Sequence, residues 1–341
     1  MSLVFDKKIN INRWNKILES TGHSAFFQSL EWGEIEKNNG KNVETYEIKN
    51  QNKTVGVLQV FEINARRGHF LHVRHGPILL EWNKKNVREV TSFLKDLAKK
   101  KNVSFIRISP LILEGEKKEQ LFLNEGFVFS PVYNLDAENR WVLDLGVSAE
   151  QILSQMRKTT RYLIKKGEKE GIEVVVGKDV SDFKKFEKIY KETALTKGFI
   201  PHKLVREEFD LFNKKGQANL YLAFQGKKIL AGALVIYSQN SAIYRHGATS
   251  LSGRKTSASY LIQWKAINDA KEKGCLYYDF WGIAKDENKK NPWYGLSSFK
   301  KGFGGSQVDY LHSLDLRVSW RYWITFGIDL LTKIKKGHFL R

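Results

Sequence analysis

Residues 70–77 read FLHVRHGP and residues 242–249 read AIYRHGAT, so the same Arg-His-Gly step closes two apolar stretches. Each stretch follows another apolar run with a central glycine, KTVGVLQV (53–60) in the first case and KILAGALV (228–235) in the second. Apolar runs of this length, bounded by turn residues, predict paired β-strands. The repeated order indicates that the chain contains one structural unit twice.

The repeat continues beyond the strand pairs. Each copy adds an amphipathic helix, at 86–102 and 257–274, and then another strand, at 103–110 and 275–283. Helices between strands predict mixed α/β sheets, an α/β (α+β) class. The order strand, strand, helix, strand is the core layout of the GNAT-like acyltransferase fold. We therefore expect two tandem GNAT-like domains, each with its cleft near strand ends.

The two predicted domains are not simple halves of the chain. We expect residues 1–146 plus 307–341 to form the first domain and residues 147–306 to form the second. The second copy has an additional N-terminal segment. In this segment, residues 148–171 predict one helix that Ser148 caps. A short strand and two further helices follow before the repeated core begins.

Composition limits the function classes. The chain has 341 residues, one cysteine (Cys275) and a formal net charge of +20. A single cysteine excludes an internal disulfide and a Cys-based zinc site, and we expect no metal. The first residues lack the apolar core of a signal peptide, and the sequence has no apolar run of membrane-spanning length, so we expect a cytoplasmic protein. The charge favours a polyanionic partner: nucleic acid, an anionic membrane or a phosphorylated substrate.

Several stretches, in this order, resemble the FemABX family of peptidoglycan bridge-forming aminoacyltransferases: QSLEWGEIEKNNG (28–40), MRKTTRYLIKKGEKEGIEV (156–174), GFIPHKLVREEFDLF (198–212), YDFWGIA (278–284) and SSFKKGFGG (297–305). The resemblance covers nearly the whole chain. It implies two GNAT-like domains that move an amino acid from aminoacyl-tRNA to the amine of stem-peptide residue three. The acceptor would be lipid II or soluble UDP-MurNAc-pentapeptide, with no cofactor. Because the sequence has no heptad run for a coiled-coil arm, it resembles the compact FemX-like form.

The resemblance implies a catalytic site at Phe299 and Lys300. A cation at Lys300 would stabilise the oxyanion or the leaving ribose oxygen, and Phe299 would exclude water. Lys301 is the rival, and a surface lysine in a turn is the structural alternative. The following Gly-Phe-Gly-Gly run lacks P-loop spacing, so we expect its glycines to shape a turn or bulge.

The resemblance also implies residues that bind the acceptor. Lys37 and Lys203 match phosphate-binding positions, and Arg206 lies one helical turn from Lys203. The family often has Arg at the position of Lys203, and a lysine cannot form the same bidentate fork. Ser109 occupies a position where some relatives have Asp, and serine cannot serve as a base. The identity of a general base is therefore left open.

Three residues of the second copy are expected at the cleft: His246, Asp279 and Trp281. His246 could stack, donate a hydrogen bond or titrate in the cleft. Alternatively, it could be a structural histidine at a strand end, with its hydrogen bonds satisfied within the protein. Asp279 could line the cleft floor or pair with Arg245 across the sheet.

A basic helix is expected to bind tRNA phosphates in a sequence-independent, salt-sensitive manner. Its candidate residues are Arg157, Lys158, Arg161, Lys165, Lys166 and Lys169. The alternative is a solvated basic helix.

The end of the chain carries an apolar helical stripe at positions 320, 323, 324, 327, 328, 331 and 334, widened by Tyr322, Phe326 and Leu330. We expect most of this face to pack on the first domain. The basic end, Lys333, Lys335, Lys336 and Arg341, would contact the anionic inner leaflet of the plasma membrane. We expect a monomer with this peripheral contact.

Two other functions remain open. An acyl-CoA-dependent GNAT N-acyltransferase needs a Gly-rich pyrophosphate loop before the second-copy helix, but SGRKTSAS (252–259) lacks the usual pattern. A non-catalytic, basic RNA-binding protein would bind tRNA and transfer nothing. The sequence also leaves open whether Gly, Ala or Ser is transferred.

Overall fold

The computed structural model describes residues 2–66 and 68–335. The chain divides into two compact units. The first contains the chain up to Arg140, Gly282–Gly295 and the chain from Val308 on, and the second contains Trp141–Trp281 and Leu296–Gln307. The segment from 282 to 295, which the sequence boundaries placed in the second domain, has its contacts in the first unit. There Trp293 packs edge-on against Tyr133, and Lys285 pairs with Glu114 at 2.8 Å.

Eleven helices and fifteen strands are present in the described ranges. The first part of the chain forms β1 (Leu3–Asp6), α1 (Ile11–Glu19), α2 (Leu30–Asn38), β2 (Val43–Asn50), β3 (Lys53–Ala65), β4 (Gly68–Arg74), β5 (Ile78–Leu79), α3 (Lys84–Lys100), β6 (Phe105–Ser109), α4 (Glu119–Leu123) and β7 (Val128–Phe129). The rest forms β8 (Asn139–Asp144), α5 (Ala149–Gln155), α6 (Lys158–Lys169), β9 (Glu173–Gly177), α7 (Val180–Lys197), α8 (Val205–Lys214), β10 (Ala218–Gln225), β11 (Lys228–Ser238), β12 (Ser241–Thr249), α9 (Ala258–Glu272), β13 (Tyr277–Gly282), α10 (Tyr294–Lys301), β14 (Ser306–Asp309), β15 (Leu314–Arg317) and α11 (Tyr322–Lys335).

Each unit is built on a mixed sheet, and the two sheets have the same strand order. The first runs β1-β2-β3-β4-β6-β15-β7, with β5 added to β3, and the second runs β9-β10-β11-β12-β13-β8-β14. In both, the strand before the long helix is parallel to the strand after it, β4 with β6 and β12 with β13. A helical crossover produces this parallel pair. The predicted duplication is therefore present strand by strand.

The sixth strand of each sheet comes from an unexpected part of the chain. β8 follows β7 in sequence but lies in the second sheet, and β15 follows β14 but lies in the first. Each copy thus gives its last strand to the other sheet. This exchange explains why the chain passes to the second sheet near residue 140 and returns to the first near residue 310.

The long helices bury one face against their sheets. In α3 the inward positions are Val87, Val90, Leu94 and Leu97, spaced by three and four residues. In α9 the buried stretch is broader, because small side chains such as Ala266 and Ala270 let the helix lie close to its sheet. The apolar patterns that predicted these helices therefore also position them.

The predicted helix over 148–171 is two helices rather than one. Ser148 does cap its start, in a reciprocal capping box with Gln151. The helix then stops at Met156, whose backbone is extended, and the Arg157 N–H bonds to the Gly302 carbonyl at 2.9 Å. This tertiary hydrogen bond replaces a helical one, so α6 begins as a separate element.

The orientation of α11 differs from the prediction. Its buried residues are Tyr322, Thr325 and Asp329, whereas the apolar stripe, Trp320, Trp323, Ile324, Ile328, Leu331 and Ile334, is exposed. The expectation that most of this face packs on the first domain is therefore wrong. Lys336 and Arg341, two of the predicted membrane contacts, lie outside the described residues. Within the described ranges, no helix has the length and apolar character needed to cross a bilayer.

Candidate active site

The candidate catalytic lysine lies at the end of a helix and not in a surface turn. Lys300 is in the last turn of α10 and is only 4% exposed. The side chain of Asp279, on β13, is fully buried and acts on it electrostatically. Burial lowers the pKa of Lys300 to about 7, although the negative charge of Asp279 opposes this shift. The amine is therefore close to half protonated near neutral pH.

The backbone beside Asp279 is strained. Trp281 has a φ of +67°, in the left-handed region that bulky residues rarely adopt. Its N–H bonds to Asp279 Oδ1 at 2.7 Å, and the Arg245 guanidinium lies 4.7 Å from the centre of its ring. Strain of this kind is held in place by its surroundings and is typical of functional sites. The structure thus brings three of the predicted site residues, Lys300, Asp279 and Trp281, into one cluster.

A β-bulge positions the second-copy Arg-His pair. β12 pairs with β11 through Val235–Tyr244 and Leu234–His246, so Arg245 is the extra residue. Neighbouring side chains of a regular strand point to opposite faces, but a bulge re-aims one of them. Here Arg245 and His246 both reach the buried carboxylate of Glu208, at 3.0 and 3.1 Å. β12 pairs with β13 only over Ser241–Ile243, although β12 itself continues to Thr249. Asp279 and Arg245 therefore lie near the point where the two strands separate.

Glu208, on α8, is a site residue that the sequence did not single out. Burial alone would raise its pKa, but the charges of Arg245 and His246 and their hydrogen bonds lower the pKa of Glu208 well below its usual value. His246 therefore faces an ionised carboxylate, and the rings of His202 and Tyr190 lie 5.2 and 5.8 Å away. Of the interpretations left open, the hydrogen-bonded histidine at a strand is the one that the geometry favours.

Phe299 connects the lysine helix to the core. Its ring meets Tyr260 and Phe303 edge-on, with ring centres 5.2 and 5.3 Å apart, and Phe303 stacks on Phe280. These ring contacts fix α10 against the aromatic core of the second unit. Lys301, the rival lysine, is half-buried and lies 5.4 Å from the ring centre of Trp141.

The glycines after α10 shape a turn. Gly304 and Gly305 have φ values of +82° and +90°, and a Cβ on Gly305 would lie 2.4 Å from the Val142 carbonyl oxygen. Only glycine allows this close approach together with this backbone conformation. The turn ends α10 directly after the two lysines.

The first unit holds a related buried network around Ser109. The Ser109 hydroxyl donates to Asp136 Oδ2 at 2.7 Å, and Arg74 donates twice to Asp136 Oδ1, at 2.8 and 2.6 Å. Burial alone would raise the pKa of Asp136, but the neighbouring Arg74 and His72 hold it well below its usual range. A carboxylate therefore stands one hydrogen bond from Ser109. Sequence reasoning missed it, although the half-buried Arg74 favours such a partner.

This network lies in a strained loop with a small cavity. Asp136 and Ala137 have φ values of +54° and +57°, and His75 has +53°. A cavity of about 10 Å³, close to the volume of one water position, is lined in part by His75, Ser109 and Asp136. Burial, and then the charge of Arg140, lower the pKa of His75 well below its usual value.

The predicted phosphate ligands are less buried than Lys300. Lys37 is exposed in the last turn of α2, and Lys203 is exposed just before α8. Arg206 is half-buried, with its Nε bound to Asp210 at 2.6 Å and its guanidinium 5.2 Å from the ring centre of Phe183. These two contacts hold the Arg206 side chain against α8 and α7.

The predicted tRNA residues fall into two groups. Arg157 and Arg161 donate to nearby backbone carbonyls, of Ser298 and Ser154 respectively. The exposed lysines of α6 are Lys158, Lys165 and Lys169, whereas Lys166 is half-buried and lies 3.6 Å from Glu170. The arginines shape the helix start, and the three lysines form its solvent face. In the described part of the chain, no three His, Cys, Asp or Glu side chains come together as a metal-ligand set.

The two mixed sheets have the same strand order, and in each a long helix joins two parallel strands. This arrangement defines a pair of GNAT-like acyltransferase domains. The crystal structure of FemX superposes with a TM-score of 0.82 at 18% identity, covering 96% of this chain and 100% of that one. A tandem GNAT protein from the clavulanic acid biosynthesis pathway superposes with a TM-score of 0.58 at 10% identity, covering 93% and 99%. The predicted fold class is confirmed.

The chain belongs to the FemAB family, whose profile matches residues 12–127, 130–205 and 202–326. The predicted resemblance is therefore also confirmed. Aminoacyltransferase FemA of Staphylococcus epidermidis is 36% identical over 83 residues, covering 24% of this chain and 20% of that protein. Lipid II:glycine glycyltransferase of the same species is 35% identical over 75 residues, covering 22% and 18%. The matched segments thus span about a fifth of the length of these curated relatives.

Proposed function

We propose that the protein is an aminoacyl-tRNA-dependent aminoacyltransferase that attaches an amino acid to the stem-peptide residue-three amine of a peptidoglycan precursor. The observation that carries this proposal is the buried Lys300 beside Asp279, at the family motif SSFKKGFGG. The names of the curated relatives support it: one is an aminoacyltransferase and another a glycyltransferase acting on lipid II. Among Gly, Ala and Ser we therefore favour glycine, and among the two precursors lipid II.

The reaction is the aminolysis of an ester. The acceptor amine attacks the ester carbonyl carbon, and a tetrahedral intermediate with a negative oxygen forms. The bond to the tRNA ribose oxygen then breaks, an amide remains, and the ribose oxygen takes up a proton equivalent to the one that the amine loses. A protonated Lys300 stabilises the oxyanion, and such a donor is worth about 3–4 kcal/mol of barrier.

The lowered pKa of Lys300 fits this task. In the free protein the amine is close to half charged near neutral pH, because its burial is opposed by Asp279. Two polyanionic substrates would favour the charged form, so that the cation is complete when both are bound. A cation in a site that excludes water acts more strongly on the developing charge than one at the surface.

We assign the remaining contacts by unit. In the first unit, Ser109 contributes to acceptor binding, and Lys37 binds the pyrophosphate of the acceptor. In the second, Lys203 assists as a phosphate ligand, and Arg206 supports it from the next helical turn. The basic helix α6 binds tRNA, chiefly through its exposed lysines. We propose that the protein acts as a monomer at the inner face of the plasma membrane, without a cofactor.

The test is transfer of a labelled amino acid from a charged total tRNA pool to lipid II or to UDP-MurNAc-pentapeptide. We expect RNase-sensitive transfer that falls by about 10²–10³ in Lys300→Met. Lys301→Met is the matched control, since it removes the neighbouring charge, and it should retain transfer. Transfer from acyl-CoA alone would instead indicate an ordinary GNAT enzyme. Binding of tRNA without any transfer would indicate an RNA-binding protein.

The pH profile separates two roles of the lysine. If the cation is required, kcat/KM of the wild type breaks downward as the pH rises through about 7, where Lys300 loses its proton. Lys300→Arg should lack this break, because a guanidinium keeps its charge. A wild-type profile that instead breaks upward at the same pH would make Lys300 a base.

A further inference from the structure

The last described helix carries its apolar side chains on the outside. Trp320, Trp323 and Leu331 are 72%, 54% and 68% exposed, and Ile324 and Ile334 are about half exposed, at 53% and 49%. Together with Ile328, which is 39% exposed, they recur at helical spacing, at 320, 323/324, 328, 331 and 334, so they form one continuous stripe along α11 and the turn before it. Contiguous apolar patches of this kind on a protein surface mark interaction sites.

The opposite face of α11 is polar and buried, which fixes the orientation. Asp329 accepts a hydrogen bond from Arg107 Nη1 at 3.0 Å, and Arg107 also holds Asp315 through two bonds of 2.7 and 2.8 Å. Tyr322 lies on the same face of α11 as Asp329 and packs edge-on against Phe105, with ring centres 5.3 Å apart. Rotating the helix to hide its apolar stripe would expose these contacts and leave a buried guanidinium without one of its two carboxylates.

The charge around the stripe has one sign. Between residues 317 and 335 the sequence has four basic residues, Arg317, Arg321, Lys333 and Lys335, and one acid. That acid is Asp329, which is buried against Arg107. The solvent side of the segment is therefore apolar in the middle and cationic at both ends. The Arg317 guanidinium lies 5.5 Å from the ring centre of Trp323, which places cation and indole together at one end.

We propose that this face, Trp320 together with residues 323, 324, 328, 331 and 334 of α11, docks on the surface of an anionic lipid bilayer. A helix with an apolar stripe and flanking Lys and Arg lies in the plane of the bilayer interface, with its apolar side chains among the upper acyl chains. Tryptophans favour this interface, because the ring is apolar and its N–H is polar. Anionic headgroups pair with the four cations, and the net charge of +20 favours approach to the same surface.

This assignment concerns binding alone and does not depend on the proposed transfer reaction. Its test is co-sedimentation of the full-length protein with vesicles of phosphatidylcholine alone and of phosphatidylcholine with one third phosphatidylglycerol. The variant Trp323→Glu/Leu331→Glu places two charges on the exposed stripe. Leu195→Glu is the matched control, because Leu195 is 86% exposed on a different helix. All of these positions are exposed, and circular dichroism verifies that each variant is folded.

We expect the wild type and Leu195→Glu to bind the anionic vesicles, with binding weakened by salt. The double variant should bind at least about tenfold more weakly. Arg321→Gln/Lys335→Gln should lose the preference for anionic lipid while retaining weaker binding. Equal vesicle binding by the wild type and the stripe variant would overturn the proposal. So would sedimentation of the wild type as a dimer that the stripe variant abolishes, without vesicle binding, because the face would then belong to a second copy of the chain.

Discussion

Replacing Lys300 with methionine should stabilise the fold while it slows transfer, and the gain in stability should depend on pH. The amine is buried, and its pKa falls from 10.5 to about 7 in the folded protein. Between these two values the unfolded chain binds more protons than the folded one. The stability of the wild type therefore rises with pH across this window, and the full cost of the lysine is present below pH 7.

The magnitude follows from the same two values. One pKa unit corresponds to about 1.4 kcal/mol, so the shift from 10.5 to about 7 gives a cost of about 4 kcal/mol at pH 7 and about 2 kcal/mol at pH 9. Methionine fills a similar volume without a charge. Lys300→Met should therefore exceed the wild type in free energy of unfolding by up to these amounts, and the excess should shrink by about 2 kcal/mol between the two pH values.

Urea denaturation at pH 7 and pH 9, followed by tryptophan fluorescence, measures both free energies of unfolding. Lys301→Met serves as the control, since it removes the neighbouring, half-buried lysine of the same helix. A Lys300→Met protein that is less stable than the wild type at pH 7, or an excess that does not change with pH, would refute the argument that burial sets the charge of this lysine.

Three further substitutions test the buried networks. Glu208→Gln should lower the free energy of unfolding by about 4 kcal/mol at pH 7, because Arg245 loses the carboxylate that it binds. Since the pKa of Glu208 is lowered from 4.5 on folding, the wild type should begin to lose this advantage as the pH falls below about 4.5, and denaturation between pH 7 and pH 3 would follow the decline. Ser109→Ala should cost about 1–3 kcal/mol by removing the bond to Asp136 and should raise KM for the acceptor more than it lowers kcat, as steady-state kinetics would show. Asp329→Asn should cost only about 2 kcal/mol in thermal or urea unfolding, because its guanidinium partner keeps a second carboxylate.

The sequence was a good guide to the order of strands and helices in the repeat. Two copies of one strand and helix order predicted two mixed sheets, because alternation along strands and the 3.6-residue period of helices are local properties. The exchange of β8 and β15 between the sheets was not predicted. A short strand has the same sequence pattern in either sheet, and which sheet it joins is decided by pairing with strands that can lie far away along the chain.

The candidate site was predictable only in part, because its charges pair over long distances. Lys300 was found through its motif, but its burial depends on aromatic rings from other elements, such as Tyr260. The carboxylates of Glu208 and Asp136 lie 37 and 62 residues from the arginines that they bind. The sequence showed the apolar stripe of α11 but not its direction, since the deciding contact joins Asp329 to a residue 222 positions away.

The two Arg-His-Gly steps, which first revealed the repeat, have the same structural task in both units. Arg74 holds the buried Asp136, and Arg245 holds the buried Glu208, each through charged hydrogen bonds of about 3 Å or less. In each copy the carboxylate comes from outside the repeated strands, so the shared motif is an ion-pair site that different segments of the chain can complete. The two units differ in the helix that precedes the seventh strand of each sheet. In the second unit, α10 ends in Lys300 and its neighbour, whereas in the first unit α4 has the sequence EQLFL. The repeated residues therefore maintain the architecture, and the proposed chemistry belongs to a segment that one copy has and the other lacks.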